Sequence, residues 1–231
     1  GGPLLPPATA PPPARGPTPI VVARAAPNRL DWNALPPLQT PGEPLFTQAL
    51  TRPEPGWPVG ATTSVNRSFT SAGYTVSPRD RRYADYVTAP APKSTFISDA
   101  MVTATGALQA GQGLWGVWCR GEDSAPSAAY LFVISHTAAV QITLTGFQDG
   151  TGWKHLDGID VTKPVMISAE CADVPDAPVE LTMGVNGRRV LTYQPKTVLS
   201  PGYSGITAQP FGDVTGPIAT ATFTEFSINK R

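Results

Sequence analysis

Two cysteines, Cys119 and Cys171, are the residues of this chain with the clearest chemistry. Each sits late in a strand-like run. One is Gly113-Leu114-Trp115-Gly116-Val117-Trp118-Cys119-Arg120, the other Val165-Met166-Ile167-Ser168-Ala169-Glu170-Cys171. A lone pair this far apart, in a chain with almost no helical spacing, reads as one disulfide tying two strands, and so as an oxidising compartment. The alternatives are two buried thiols or a metal site. For a metal the supply is poor: the other soft ligands are His136 and His155, and neither cysteine has a second one at finger spacing. The chain-entropy model gives a cross-link closing about fifty residues roughly 4 kcal/mol.

Acid–base chemistry finds little material. Glycoside hydrolysis needs two carboxylates about 5–10 Å apart. The nearest cluster, Asp157-Gly-Ile-Asp160, has a spacing that points its acids to opposite faces if extended, and it reads as a polar turn. Glu122-Asp123 reads the same way. There is no Gly-x-Ser-x-Gly elbow, and Ser135 and His136 are neighbours that point apart on a strand. Phosphate-binding glycine loops and His-Glu-x-x-His are absent. No cofactor is expected. Calcium would have to use Asp149-Gly-Thr-Gly or Asp157 and Asp160, which is thin oxygen ligation. No catalytic or metal-ligating residue is therefore assigned.

Flat rings can stack on sugar faces, and Trp57, Tyr74, Trp118, Trp153 and Tyr203 are the available rings; sandwich-core packing competes for each. Period-two alternation places Trp115 and Val117 with Cys119, and Leu114, Gly116, Trp118 and Arg120 on the other face. In the partner run Ile167, Ala169 and Cys171 share a face, leaving Met166, Ser168 and Glu170 opposite. On neighbouring strands Arg120 and Glu170 would then pair across the sheet. Trp153, between Gly152 and Lys154, is the ring expected to be exposed. The candidate ligand contacts are Trp118, Trp153, Arg120 and Tyr203.

The elements that must hold these residues are strands. Runs of β-branched and aromatic residues alternate with turn residues from about residue 45. Strands are expected near 46–50, 62–69, 73–77, 84–88, 95–105, 113–120, 128–135, 138–145, 164–172, 179–185, 188–193, 203–209 and 219–228. Val185-Asn186-Gly187-Arg188 predicts a two-residue type I′ hairpin, with Val185 facing Arg188 and Met183 facing Val190. In the last strand Ala219, Ala221 and Phe223 alternate in one phase, then Phe226 and Ile228 in the other. A one-residue bulge near Thr224–Glu225 would keep both sets on the core.

Before residue 45 the texture differs. Of 27 prolines, 16 lie in residues 1–58, and each removes an amide donor from any ladder. Residues 1–44 read as an extended Pro-rich arm or linker, with polyproline II at 6–7 and 11–13, an edge strand at 20–22 and a helical turn within Asn28 to Leu35. Residues 45–231 form the β-domain. Charged residues are only 15% of the chain, and 17 Lys plus Arg balance 17 Asp plus Glu. That balance argues against a nucleic-acid partner or an anionic membrane surface. No apolar stretch is long enough to span a bilayer. Gly1 reads as a processed end, which leaves room upstream for a targeting signal or membrane anchor.

Gly-Val-Trp-Cys-Arg (116–120), Ala-Tyr-Leu-Phe-Val-Ile (129–134), Ala-Glu-Cys (169–171), Leu-Thr-Met-Gly-Val-Asn-Gly-Arg (181–188), Pro-Gly-Tyr-Ser-Gly-Ile (201–206) and Ala-Thr-Phe-Thr-Glu-Phe-Ser-Ile (221–228) follow in one order. Over about residues 45–230 this resembles the concanavalin A-like, laminin-G-like jelly-roll domains of actinobacterial cell-envelope proteins, found outside the membrane on receptor kinases and lipoproteins. The resemblance implies a two-sheet antiparallel β-sandwich with a Cys119–Cys171 bond. The chain departs from the pattern at Asp173 to Pro178, which reads as an insert before the hairpin, and at Gln194-Pro195-Lys196 after it. The function expected is a non-catalytic extracytoplasmic binding domain. Its partner would be a protein of the cell envelope or of a larger assembly, met through the arm, or, in a lectin-like alternative, a glycan. A hydrolase ranks last.

Overall fold

The computed structural model describes residues 28–109, 111–123, 126–146, 149–211 and 215–231. The polyproline segments and the edge strand expected at 20–22 lie outside them. The described residues form β1 (Arg29–Leu30), β2 (Pro44–Ala49), β3 (Gly60–Ala61), β4 (Val65–Thr70), β5 (Gly73–Pro78), β6 (Asp85–Thr88), β7 (Ala100–Leu108), β8 (Leu114–Gly121), β9 (Tyr130–Ser135), β10 (Ala139–Leu144), β11 (Lys154–Leu156), β12 (Val165–Val174), β13 (Ala177–Val185), β14 (Arg188–Tyr193), β15 (Tyr203–Gln209) and β16 (Ala221–Lys230). Two 3₁₀ turns, Trp32–Ala34 and Lys93–Thr95, are the helical elements among the described residues.

The strands make two sheets. The first runs β1-β11-β10-β9-β8-β15-β6, and the second β14-β13-β12-β7-β16-β5-β4-β3, with β2 paired to the later half of β16. Strand pairing is antiparallel except for the two-residue β1–β11 match. Alternation sends one row of each strand between the sheets. Trp115, Val117, Tyr130, Phe132 and Ile134 enter from the first sheet, and Val102, Ile167, Leu181, Met183, Phe223 and Phe226 from the second. Trp115 meets Phe223 edge-on across the gap, with ring centroids 5.4 Å apart.

Cys119 and Cys171 are bonded, with Cα atoms 6.8 Å apart. The bond joins β8 of the first sheet to β12 of the second, so it clamps the two layers together rather than neighbouring strands. This corrects the expected Arg120–Glu170 pair, because the two residues belong to different sheets. Arg120 also has a left-handed backbone, φ 54°. It donates to the carbonyls of Leu199 and Ser98 and to Asp173, whereas Glu170 faces Arg231.

The hairpin turn at Asn186-Gly187 is present, both residues having positive φ, with Val185 opposite Arg188. Beyond it the register slips by one. Gly184 faces Arg189 and Met183 faces Leu191, not Val190. The extra residue lets both Val190 and Leu191 be buried. The bulge in β16 falls on Thr224: Phe223 faces Gly106 and Glu225 faces Thr105, and Phe226 and Ile228 both reach the core. Asp173 to Pro178 is a hairpin rather than an insert, since β12 and β13 stay paired to Val174 and Ala177 around a two-residue turn.

Residues 28–43, proline-rich as they are, are tied into the sandwich. β1 pairs with β11, and Trp32 and Leu35 pack against the core from the 3₁₀ turn. The Arg189 amide donates to the Pro36 carbonyl, and the Lys230 amide to the Glu43 carbonyl.

Candidate functional site

The outer face of the first sheet carries most of the residues singled out from the sequence. Opposite the core row, β8 presents Leu114 and Trp118, β9 presents Leu131 and Val133, β10 presents Gln141 and Thr143, and β15 presents Thr207 and Gln209. Leu114, Trp118, Ala129, Leu131 and Val133 form a second buried apolar cluster, against which Tyr86, Trp153, Tyr203 and Phe211 pack. This face is thus an apolar floor with aromatic rings around it.

Trp118 does face away from the disulfide, but it is completely buried, and its indole N–H donates to the Ile206 carbonyl at 3.0 Å. It is floor, not an exposed contact. Gly205 lies against it, where an added Cβ would come within 2.7 Å of the indole. Arg120 is 3% exposed and donates through Nη1 and Nη2 to protein oxygens. Trp57 and Tyr74 belong to the inter-sheet core; Trp57 donates to Gln48, and Tyr74 to the Pro58 carbonyl. Trp118 and Arg120 are thus corrections to the reading of them as surface contacts, while Trp57 and Tyr74 take the core-packing alternative. For Trp118 the cause is that the outer face of the first sheet is itself apolar, so the outward phase there does not mean exposure.

Trp153 and Tyr203 remain half-buried at the periphery. Trp153 packs on Phe211, with centroids 4.7 Å apart and planes at 43°. His136 is edge-on to the other side of Phe211 at 6.2 Å. Tyr203 packs edge-on to Phe96 at 4.7 Å. The β10–β11 pairing runs to Val140↔Lys154, one residue short of Gln141 and Trp153. Gln141 is 7% exposed and its Oε1 has no hydrogen-bond partner. Farther along, Gln209 Nε2 donates to Thr207 and, at 3.4 Å, to the Tyr86 hydroxyl. Phe211 and Gln141 were missed in the sequence. A phenylalanine between Pro210 and Gly212 is a loop aromatic, and Gln141 is a polar residue in an otherwise apolar β10; both were legible signals.

The loop carrying Trp153 is anchored at Asp149. The Asp149 carboxylate accepts from the Tyr193 hydroxyl and from the Lys196 amide, and the Asp149 carbonyl accepts from Leu144 and Thr143. Burial raises the Asp149 carboxyl, but these hydrogen bonds outweigh it and hold the carboxyl below its ordinary range. The same bond pushes the Tyr193 phenol up to about 12. Gln194-Pro195-Lys196, a departure from the family pattern, supplies part of this anchor.

The other residues with chemical interest are scattered. Ser135 is buried and bonded to Thr137, and His136 Nδ1 lies 3.3 Å from the Gly113 carbonyl. Asp157 pairs with Arg29 and lies near His155, and Asp160 caps Thr162. Among the described residues no three His, Cys, Asp or Glu gather as metal ligands, and no helix is long and apolar enough to cross a membrane.

This architecture is that of the concanavalin A-like jelly rolls. A carbohydrate-binding module, CBM66, from Bacillus subtilis superposes with a TM-score of 0.56 at 19% identity, covering 76% of this chain and 96% of the module. The Bacillus licheniformis β-glucanase gives 0.55 at 14% identity, over 84% of this chain and all of that enzyme. The Crh5 transglycosylase in complex with NAG gives 0.56 at 11% identity, over 84% and 88%. At these identities the likeness establishes the fold. No protein-family model and no curated protein sequence matches the chain.

Proposed function

We propose that the chain is a non-catalytic, lectin-like carbohydrate-binding domain of an extracytoplasmic cell-envelope protein. The observation that carries the reading is the half-buried Trp153 ring, stacked on Phe211 at the edge of an apolar sheet face. An aromatic plane supplies a platform for the C–H face of a sugar. That the fold is shared with a carbohydrate-binding module and with enzymes of β-glucan and N-acetylglucosamine chemistry supports a glycan partner. The disulfide supports an oxidising compartment.

Two observations support binding without hydrolysis. Among the described strand residues, the outward positions of the first sheet carry no Asp or Glu. The acids that approach one another, Glu170 and Glu180 on β12 and β13, face Arg231 between them at 3.2 and 3.8 Å, as ion pairs on the opposite sheet.

Affinity electrophoresis through gels containing soluble β-1,3-1,4-glucan or chitin oligosaccharide, with tryptophan fluorescence alongside, tests the proposal. Retardation is expected for the wild type and at least about tenfold weaker binding for Trp153→Ala at unchanged circular dichroism. Retardation by neither polymer, or by Trp153→Ala as strongly as by the wild type, would overturn it.

A further inference from the structure

The second sheet has a site of its own on its outer face. Residues 38–41 cross that face as a strap. At one end the Leu38 amide donates to the Gly187 carbonyl at 2.8 Å, and at the other the Gly42 amide donates to Lys230 at 2.9 Å. Both attachments are close. A Cβ on Gly184 would come within 2.4 Å of the Leu38 side chain, and one on Gly42 within 3.0 Å of the Lys230 carbonyl. Under the strap lies a groove of about 390 Å³, within the size range of small-molecule sites. Its floor interleaves two thioethers, Met101 and Met166, with the polar side chains of Thr103, Ser168, Ser227 and Asn229.

A smaller recess of about 90 Å³ shares the Leu38–Gln39 wall and is closed by Glu170, Thr182, Arg189 and Arg231. Glu170 is 3% exposed. Its Oε2 faces Arg231 Nε at 3.2 Å, but Oε1 has no hydrogen-bond partner. A buried carboxylate oxygen without a donor is costly and marks a place where a donor belongs. Desolvation raises the carboxyl, and Arg231 and Arg189 only partly oppose it.

We propose that this groove, together with the recess that shares its Leu38–Gln39 wall and holds Glu170, is a second ligand site, on the face opposite the aromatic rim, for a neutral, hydroxyl-rich molecule of one or two sugar rings. One ligand hydroxyl donates to Glu170 Oε1. The half-buried Met166 thioether takes the C–H surface, and the Thr103 and Ser227 hydroxyls take further hydroxyls. Acids and bases flank the space together, Glu170 and Glu225 with Arg189 and Arg231, so neither an anion nor a cation is favoured. The site shares no residue with the Trp153 rim, so each stands or falls by itself.

The chain has three methionines, which make a direct assay. Met166 lines the groove half-buried and Met101 lies fully buried beneath its floor, while Met183 is buried in the inter-sheet core. In protein labelled with ¹³C at the methionine methyls, titration with cellobiose or diacetylchitobiose is followed by NMR. The Met101 and Met166 signals are expected to shift and the Met183 signal to stay, in the wild type and equally in Trp153→Ala. Glu170→Gln is expected to weaken the midpoint about tenfold or more. Ser227→Leu, which fills the floor without touching the Glu170–Arg231 pair, is expected to abolish the shifts, with the Met183 signal reporting an intact core. Unmoved Met101 and Met166 signals with both sugars, an unchanged midpoint in Glu170→Gln, or shifts that vanish in Trp153→Ala would each overturn the site. Shifts without retardation by polysaccharide would sink the rim and leave the groove standing.

Discussion

Arg120 Nη2 donates to Asp173 Oδ1 at 2.7 Å, one residue past Cys119 and two past Cys171. The covalent tie between the sheets is therefore flanked by an ion pair between the same two strands. The partners are unequal. Arg120 is 3% exposed at its side chain and Asp173 48%, and Arg120 also satisfies the carbonyls of Leu199 and Ser98.

Replacing both cysteines by alanine is expected to lower unfolding free energy by about 4 kcal/mol, since the bond spans 52 residues of sequence. Urea titrations of the double variant and the oxidised wild type read this directly. A difference below about 1 kcal/mol would mean that the unfolded chain is already compact across this span.

Arg120→Met leaves the buried Leu199 carbonyl and the partly exposed Ser98 carbonyl without their donor and is expected to cost about 1–3 kcal/mol. Asp173→Asn touches only the exposed end of the pair and is expected to cost under about 1 kcal/mol. Equal losses from the two substitutions, measured as urea midpoints, would contradict the picture of Arg120 as the structural partner.

Trp118 and Trp153 are expected to separate stability from binding. Trp118→Ala removes a completely buried ring and is expected to cost about 3–5 kcal/mol. Trp153→Ala is expected to change stability by about 1 kcal/mol or less while weakening glycan binding, because its ring lies at the periphery of the cluster. Thermal melts paired with affinity electrophoresis check both halves.

The pH dependence has two opposed contributors. Burial raises Glu170 above the ordinary 4.5, so the folded state holds its proton more tightly than the unfolded state. The stability this confers is full below pH 4.5 and is lost as pH rises through the folded value. Glu170→Gln is expected to flatten that decline. Asp149 is held below the ordinary 3.8 by Tyr193 and the backbone at 196–197, against its burial. Its contribution is present above pH 3.8 and lost as pH falls through the lowered value. Tyr193→Phe is expected to raise the Asp149 carboxyl, seen by NMR titration, and to loosen the Trp153 loop enough to weaken glycan binding.

Much of the strand order was legible because turn residues punctuate it, and the Thr224 bulge because a phase change in an apolar row has one cheap explanation. The assignment of strands to sheets was not. β9, with Leu131 and Val133 on one face and Tyr130, Phe132 and Ile134 on the other, is apolar on both sides. Period two therefore gives its alternation but not its inside. The same ambiguity hid the burial of Trp118. β3 and β11 are two and three residues long, too short to show a pattern, and their pairing is decided by neighbours distant in sequence. The Arg120–Glu170 expectation failed for want of one fact, that the disulfide crosses between layers.

The route of residues 29–49 has a mechanical outcome. The chain binds the edge of one sheet at β1, crosses the outside of the other between Gly187 and Lys230, and ends alongside β16. Tension arriving from the N-terminal side is thus shared between both layers and resisted by rows of amide bonds acting together, behind which stands the 119–171 sulfur bridge. A domain wired in this way keeps both of its outer sheet faces in shape under load.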